Sequence, residues 1–138
     1  MNIDQKIKIV NQIVMSEPYF DFEISKMNGV DLILVGSKDF TYSHTLELVF
    51  KDVFRVSMNA KWSVDTKDSF ISILTDKEQF DYNVKFDIEQ GNVVFAFAAE
   101  GFSSAFYIVS KDIEFNTDVV LYYKKEELQP GERLADWV

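Results

Sequence analysis

The stretch 80–99 constrains the fold more than any other part of the chain. Apolar residues occupy every second position from Phe80 to Ile88, and the pattern resumes after Gln90-Gly91. A period of two is typical of a β-strand with one buried face. If the chain folds at Gln90-Gly91 as a two-residue loop, Phe86 lies opposite Phe95 and every inward pair is apolar. The sequence therefore predicts a hairpin of strands 80–89 and 92–100 at the centre of the core.

The remaining segments carry signals of one helix and further strands. Apolar residues at helical spacing predict a helix over 2–15, with Asn2 and Gln5 placed to form a capping box. Asn28-Gly29 lies between two alternating segments and predicts a second hairpin, which would oppose Phe22 to Val35. The predicted strands cover about 20–27, 30–35, 44–50, 53–64, 80–89, 92–100 and 102–115, and a C-terminal flap covers 119–138. Whether 65–79 is helix or strand is left open, as is the order of the tail after Gln129.

The length and composition of the chain predict that these elements form one domain, residues 1–138. A chain of 138 residues is long enough to bury a sizeable core without a metal or a disulfide. Thirteen phenylalanines with only five glycines and two prolines indicate sheets packed on aromatic rings. We expect an α+β fold, with a mainly antiparallel sheet of about seven to eight strands and one N-terminal helix. A strongly bent or sandwich-like sheet is left open.

Several classes of site and partner are disfavoured. The chain has no cysteine and a single histidine, His44, so thiolate sites and two-histidine metal sites are excluded, and no cofactor is expected. No nucleophile or phosphate-loop motif accompanies His44, for which we expect a structural or exposed role. A net charge of −9 disfavours nucleic acid, and the absence of a long apolar run disfavours a membrane span. We expect a soluble cytoplasmic protein.

The small residues Val94, Ala96 and Ala98 form the outer face of the strand over 92–100. We expect helix 2–15 to pack on this flat apolar face. The alternative is an exposed surface for a partner or for a second copy of the chain. A dimer is therefore left open.

Two stretches resemble a known family. The run 46–53, Leu-Glu-Leu-Val-Phe-Lys-Asp-Val, and the strand start 20–24, Phe-Asp-Phe-Glu-Ile, together with the Phe-rich hairpin, are similar to the immunity protein 50 family of bacterial polymorphic toxin systems. The likeness covers roughly residues 19–115. In that family a histidine often precedes the acid that matches Asp21, and here Phe20 stands in its place. The resemblance implies a non-enzyme that binds and blocks a cognate toxin, and it supplies no catalytic residue.

The charge and the resemblance point to one mechanism, in which an acidic surface captures a basic toxin. Acids at the rim would speed encounter, and aromatic anchors would supply most of the affinity. The candidate acids are Asp65, Asp68, Asp76, Glu78, Asp81 and Glu100, and the candidate anchors are Phe40, Tyr42 and Trp62. A second hypothesis is a small-molecule-binding barrel or sandwich with a Phe-lined cavity. A third is an enzyme that uses Asp81 and Glu100, which the predicted hairpin places opposite each other.

Overall fold

Antiparallel β-sheet dominates the computed structural model, which describes residues 1–98 and 106–138. The helices and strands in chain order are α1 (Ile3–Met15), β1 (Phe20–Asn28), β2 (Asp31–Ser37), β3 (Ser43–His44), β4 (Leu46–Ser57), β5 (Lys61–Val64), β6 (Ile71–Ile73), α2 (Asp76–Phe86), β7 (Val93–Phe97), β8 (Phe106–Asn116), β9 (Val119–Leu121) and β10 (Glu132–Leu134). The predicted α+β class, with a mainly antiparallel sheet and an N-terminal helix, is confirmed.

Seven of these strands form one curled sheet in the order β5-β1-β2-β4-β8-β7-β6. Trp62 on the edge strand β5 contacts Phe97 and Phe106 near the other edge, with ring centroids 6.0 and 5.5 Å apart. The sheet therefore curls into a half-barrel with aromatic rings inside. The strands β10, β9 and β3 form a separate small sheet, in which β10 runs parallel to β9.

Phenylalanine rings fill the inside of the half-barrel. Phe22 stacks on Phe70 with ring centroids 4.9 Å apart, and Phe50 meets Phe95 edge-on at 5.2 Å. All four side chains are almost completely buried. Each such burial stabilises the fold by about 1.5–3 kcal/mol, and favourable ring geometry adds to that.

Helix α1 lies on this aromatic core. Asn2 caps it as the sequence predicts, because the Asn2 and Gln5 side chains each accept a hydrogen bond from the other residue's backbone N–H at 2.9 Å. Val10 and Val14 are fully buried in the core. The ammonium group of Lys6 is buried against β8, where its hydrogen bond to Glu114 raises the pKa of Lys6 despite the cost of burial.

The predicted central hairpin is wrong in its first strand, since most of 80–89 belongs to helix α2. Asp76 and Glu78 lie in the first turn and Lys85 in the last, where their charges complement the helix dipole. The helix ends at Phe86 and is capped by Asp87, whose φ of 51° is left-handed. Gln90-Gly91 is a turn, as predicted, but it leads from the loop after α2 into β7. Asp81 therefore has no strand partner, and Glu100 lies outside the described residues.

The hairpin at Asn28-Gly29 is present, but its register differs from the predicted one. The turn is centred on Gly29-Val30, and Asn28 pairs with Asp31. That turn alone would move the pairing by two residues, and a bulge at Ser25 moves it back by one, so that Phe22 lies opposite Gly36 instead of Val35. The hydrophobic pattern identified the two strands, but it did not contain the extra residue of the bulge.

The segment predicted as strands 44–50 and 53–64 is one long strand, β4, followed by the short strand β5. Asp52 adopts a left-handed φ of 52°, and the pairing of β4 with β8 shifts between Val53 and Arg55. Residues 51–53 are therefore strand and not a turn, and the extra residue of a bulge follows them at Phe54.

Helix α2, and not α1, covers the small-residue face of β7. Tyr82 packs in a second cluster with Val94 and Val109, while α1 packs on the opposite side with Phe95. Val94 and Ala96 are consequently buried, and Ala98 is exposed. In the described part of the chain, neither helix is long and apolar enough to cross a membrane.

The C-terminal segment docks on the body of the protein. Ala135 is buried, and its backbone N–H donates a hydrogen bond to Leu121 O at 2.9 Å. Lys26 on β1 pairs with Asp136 at 2.8 Å, and Trp137 lies against the Tyr122 ring at 5.1 Å. The predicted flap is thus a segment held by both a backbone ladder and side chains.

Candidate functional site

The predicted acidic surface is divided between two elements. Asp76, Glu78 and Asp81 all lie on α2 and are exposed. Asp65 and Asp68 are exposed on the loop between β5 and β6, where the Asp65 carboxylate accepts a hydrogen bond from Lys67 N at 3.0 Å. The structure therefore groups three of the predicted acids on one helix.

Two apolar side chains stand between these acids. Phe80 and Val84 are 66% and 62% exposed, and their i, i+4 spacing makes them neighbours on the helix surface. At about 100° per residue, Asp76 falls on one side of this pair and Asp81 on the other, and Asp87 caps the C-terminal end of the helix. We call these five residues the α2 face.

The buried side of α2 fixes the helix on the sheet. The Tyr82 ring contacts Phe86 and Tyr107, with centroids 4.6 and 4.8 Å apart. Arg55 Nε donates a hydrogen bond to Tyr82 Oη at 3.2 Å, and the guanidinium carbon lies 3.7 Å from the centre of the Phe86 ring. Such cation–π contacts contribute on the order of 0.5–2 kcal/mol. These contacts hold α2, and with it the α2 face, in a fixed position on the sheet.

The predicted aromatic anchors do not lie on α2. Tyr42 is 67% exposed in the β2–β3 connection, where its ring meets Tyr123 edge-on at 6.1 Å. Phe40 in the same connection is half-buried. Trp62 is only 5% exposed and packs in the interior, which removes it from the candidate surface.

A second group of polar residues, which no sequence motif indicated, meets under the C-terminal segment. His44 is 4% exposed, and its Nδ1 lies 2.7 Å from Tyr122 Oη, a residue 78 positions away. Arg133 pairs with Glu47, and its Nε donates to Asp118 at 3.1 Å. His44, Glu47 and Arg133 border a cavity of about 600 Å³ between the outer side of the sheet and the C-terminal segment, which we call the C-terminal cavity.

The surroundings of His44 set its charge. Burial, and then the nearby Arg133 guanidinium, lower the pKa of His44 to about 4, although the Glu23 carboxylate opposes this. Burial, with the charge of Glu23, raises the pKa of Tyr122 to about 12. Near neutral pH the imidazole is therefore uncharged and the phenol keeps its proton.

No family model matches the chain, and neither the curated proteins nor the solved structures contain a significant match to it. The resemblance to the immunity protein 50 family, which rests on residues 20–24 and 46–53, stays a prediction.

Proposed function

We propose that this protein is a non-catalytic binding protein of the immunity type, which captures a basic toxin on the α2 face and neutralises it in the cytoplasm. The observation that carries the proposal is the exposed Phe80–Val84 pair set among exposed acids on a firmly packed helix. The acids belong to the α2 face and to Glu78 beside it.

The apolar pair suits the centre of a protein interface. A buried aromatic anchor surrounded by polar residues is the usual arrangement of an interface that binds through a few strong contacts. Phe80 offers such an anchor, because most of its ring is in contact with solvent. Packing against the sheet leaves α2 little freedom to lose on binding, which favours affinity.

The charges around the pair favour a basic partner. Residues 76–87 contain four acids and two lysines, and the chain as a whole carries a net charge of −9. Lys77 is held by Asp81 at 2.6 Å, but both groups are exposed and their pairing is easily exchanged. A cationic partner would be steered toward this surface, and the steering would weaken as salt is added.

Growth rescue in bacterial cells tests the proposal. The product of the adjacent gene is expressed with the wild-type protein, with Phe80→Gln/Val84→Gln or with Glu78→Lys/Asp81→Lys. We expect the wild type to restore growth and both double variants to lose rescue. The first variant removes the apolar anchor, and the second reverses two of the steering charges.

Matched controls separate this surface from general effects of charge and polarity. Tyr19→Gln/Leu128→Gln removes two exposed apolar side chains elsewhere, and Glu126→Lys/Glu127→Lys makes the same change in net charge. Both controls should rescue as the wild type does, and circular dichroism melts should show all variants folded. A non-toxic neighbour, or rescue that is indifferent to the α2 variants, would contradict the proposal.

The ring contacts of the interior give no support to a ligand inside the half-barrel. Phe22, Phe50, Phe70 and Phe95 are almost completely buried and lie against one another in pairs. A barrel that binds a ligand needs an open chamber between such rings.

A further inference from the structure

The C-terminal cavity has the form of a small-molecule site. Its volume of about 600 Å³ lies within the range of about 300–1,000 Å³ that is common for ligand pockets. Ile33, Val49 and Val120 supply an aliphatic lining, and the Trp137 side chain forms one wall. A ligand here would bury an apolar body against these four side chains.

His44 borders this cavity and holds a buried donor without a partner. The Glu47 carboxylate oxygen, 3.7 Å from Nε2, favours the tautomer that carries the proton on Nε2, and the Tyr122 hydroxyl then donates to Nδ1. Within the described residues Nε2 has no hydrogen-bond partner, since Glu47 Oε1 is 3.7 Å away and beyond hydrogen-bond distance. A buried N–H without a partner is costly, and a ligand acceptor or a bridging water would remove that cost.

Two other side chains around the cavity, Asn116 and Lys26, have N–H groups to spare. The Asn116 side-chain oxygen accepts from Asp118 N at 3.2 Å, and its Nδ2 has no hydrogen-bond partner among residues 1–98 and 106–138. Lys26 Nζ uses one of its three N–H groups on Asp136, and both partners of that pair are substantially exposed. The two acids of the lining are Glu47 and Asp136, and each is already paired with a cation. The spare capacity of the site is therefore in donors, which favours a ligand that brings acceptors.

We propose that the C-terminal cavity binds a small organic carboxylate with an aromatic or branched apolar body. The carboxylate would accept hydrogen bonds from Asn116 Nδ2, from Lys26 Nζ and, once Nε2 becomes accessible, from His44. The apolar body would lie on Ile33, Val49 and Val120 beside the Trp137 indole. This site is formed by residues other than those of the α2 face and does not depend on the proposed function.

Nuclear magnetic resonance gives a direct test, because the chain has only two tryptophans. The ¹⁵N-labelled protein is titrated with 1-naphthoate and, in parallel, with 1-naphthylmethylammonium and 1-naphthalenemethanol, which share its rings but not its charge. We expect 1-naphthoate to shift the Trp137 indole N–H signal, while the signal of Trp62, which is buried in the core, stays in place. The other two compounds should bind at least about tenfold more weakly, which is the change expected when a charge-assisted hydrogen bond is lost.

The substitution Asn116→Asp isolates the donor that the proposal uses. Aspartate keeps the oxygen that accepts from Asp118 N, but it replaces Nδ2 with a negatively charged oxygen. It should weaken 1-naphthoate binding about tenfold or more, whereas Asn59→Asp, an equal change of charge outside the cavity lining, should leave it unaltered. Equal binding of the three compounds, no shift at Trp137, or wild-type affinity in Asn116→Asp would overturn the proposal. An unchanged Trp62 signal in each variant verifies that the protein is folded.

Discussion

Gly36 on β2 lies where the interior leaves no space for a side chain. A Cβ atom added there would lie 2.5 Å from a ring carbon of Phe20 and 2.7 Å from one of Phe22. Both rings are buried and held by their neighbours, so neither can move aside without disturbing the core. This is a close approach between strand backbone and aromatic ring, made possible because Phe22 pairs directly with Gly36.

The substitution Gly36→Ala should lower the free energy of unfolding by about 1–3 kcal/mol, because it overpacks a filled core. Urea denaturation followed by circular dichroism measures the change. The direction of the change in unfolding free energy tests the close approach, because alanine inside a strand is ordinarily more stabilising than glycine by about 0.5–1 kcal/mol. A Gly36→Ala protein as stable as the wild type, or more stable, would contradict the close approach.

At the scale of elements, hydrogen bonds from the buried side-chain amide of Asn11 join α1 to the edge strand β6. Asn11 Oδ1 accepts hydrogen bonds from Phe70 N at 3.0 Å and Ile71 N at 3.2 Å, while Nδ2 donates to Ile71 O at 2.9 Å. The Asn11 side chain therefore makes the hydrogen bonds with the backbone of this segment that a neighbouring strand would otherwise make. It also covers an edge that would otherwise have unpaired polar groups.

We expect Asn11→Ala to destabilise the protein by about 2–4 kcal/mol, because two N–H groups and one carbonyl lose their partner in a buried site. Gln12→Ala, at the adjacent exposed position of the same helix, is the control and should change stability by less than about 0.5 kcal/mol. Urea denaturation measures both, and amide exchange at Phe70 and Ile71 should speed up in Asn11→Ala alone. Equal effects of the two substitutions would argue against the fastening role.

The sequence of α2 shows how one pattern can fit two elements. Apolar residues at every second position also produce i, i+4 pairs, and the helix buries one of them, Tyr82 with Phe86, while exposing Phe80 with Val84. The polar residues of the segment carried the helical signal: acids in the first turn, Lys85 in the last, and Lys77 four positions before Asp81. Few of its residues are β-branched, which also disfavours a strand.

For the whole molecule, His44 couples stability to pH. Its pKa is about 4 in the folded protein and about 6.5 when unfolded, so the unfolded chain binds more protons between these values. The folded state is favoured above pH 6.5, and this contribution is lost as the pH falls toward 4. The loss is on the order of 2–3 kcal/mol, and the groups that face the ring are Arg133, Glu47, Tyr122 and Glu23.

Urea denaturation at pH 7, 5.5 and 4.5 measures this dependence, with His44→Gln as the comparison. The carboxylates titrate in both proteins, so the difference between the two pH profiles isolates the imidazole. We expect the wild type to lose more stability than His44→Gln between pH 6.5 and 4.5. Parallel profiles would mean that the folded and unfolded pKa values of His44 are similar.

Local patterns in the sequence determined the features that depend only on residues close together in the chain. The capping box of α1, the hairpin beside Asn28-Gly29, the mainly antiparallel sheet and the Phe-rich core all depend on neighbours within a few positions. Steric limits on the backbone and the period of the apolar residues act over that range.

Only the tertiary structure decided which surface each apolar face meets. The helical form of α2, the bulge that keeps β4 continuous, and the meeting of His44, Tyr122 and Arg133 all depend on residues that are distant in the chain. A segment whose apolar residues fit both a strand and a helix adopts the form that buries them best against its neighbours. Here Val94, Val109 and Tyr107 supply that surface for α2, and no window of the sequence contains it.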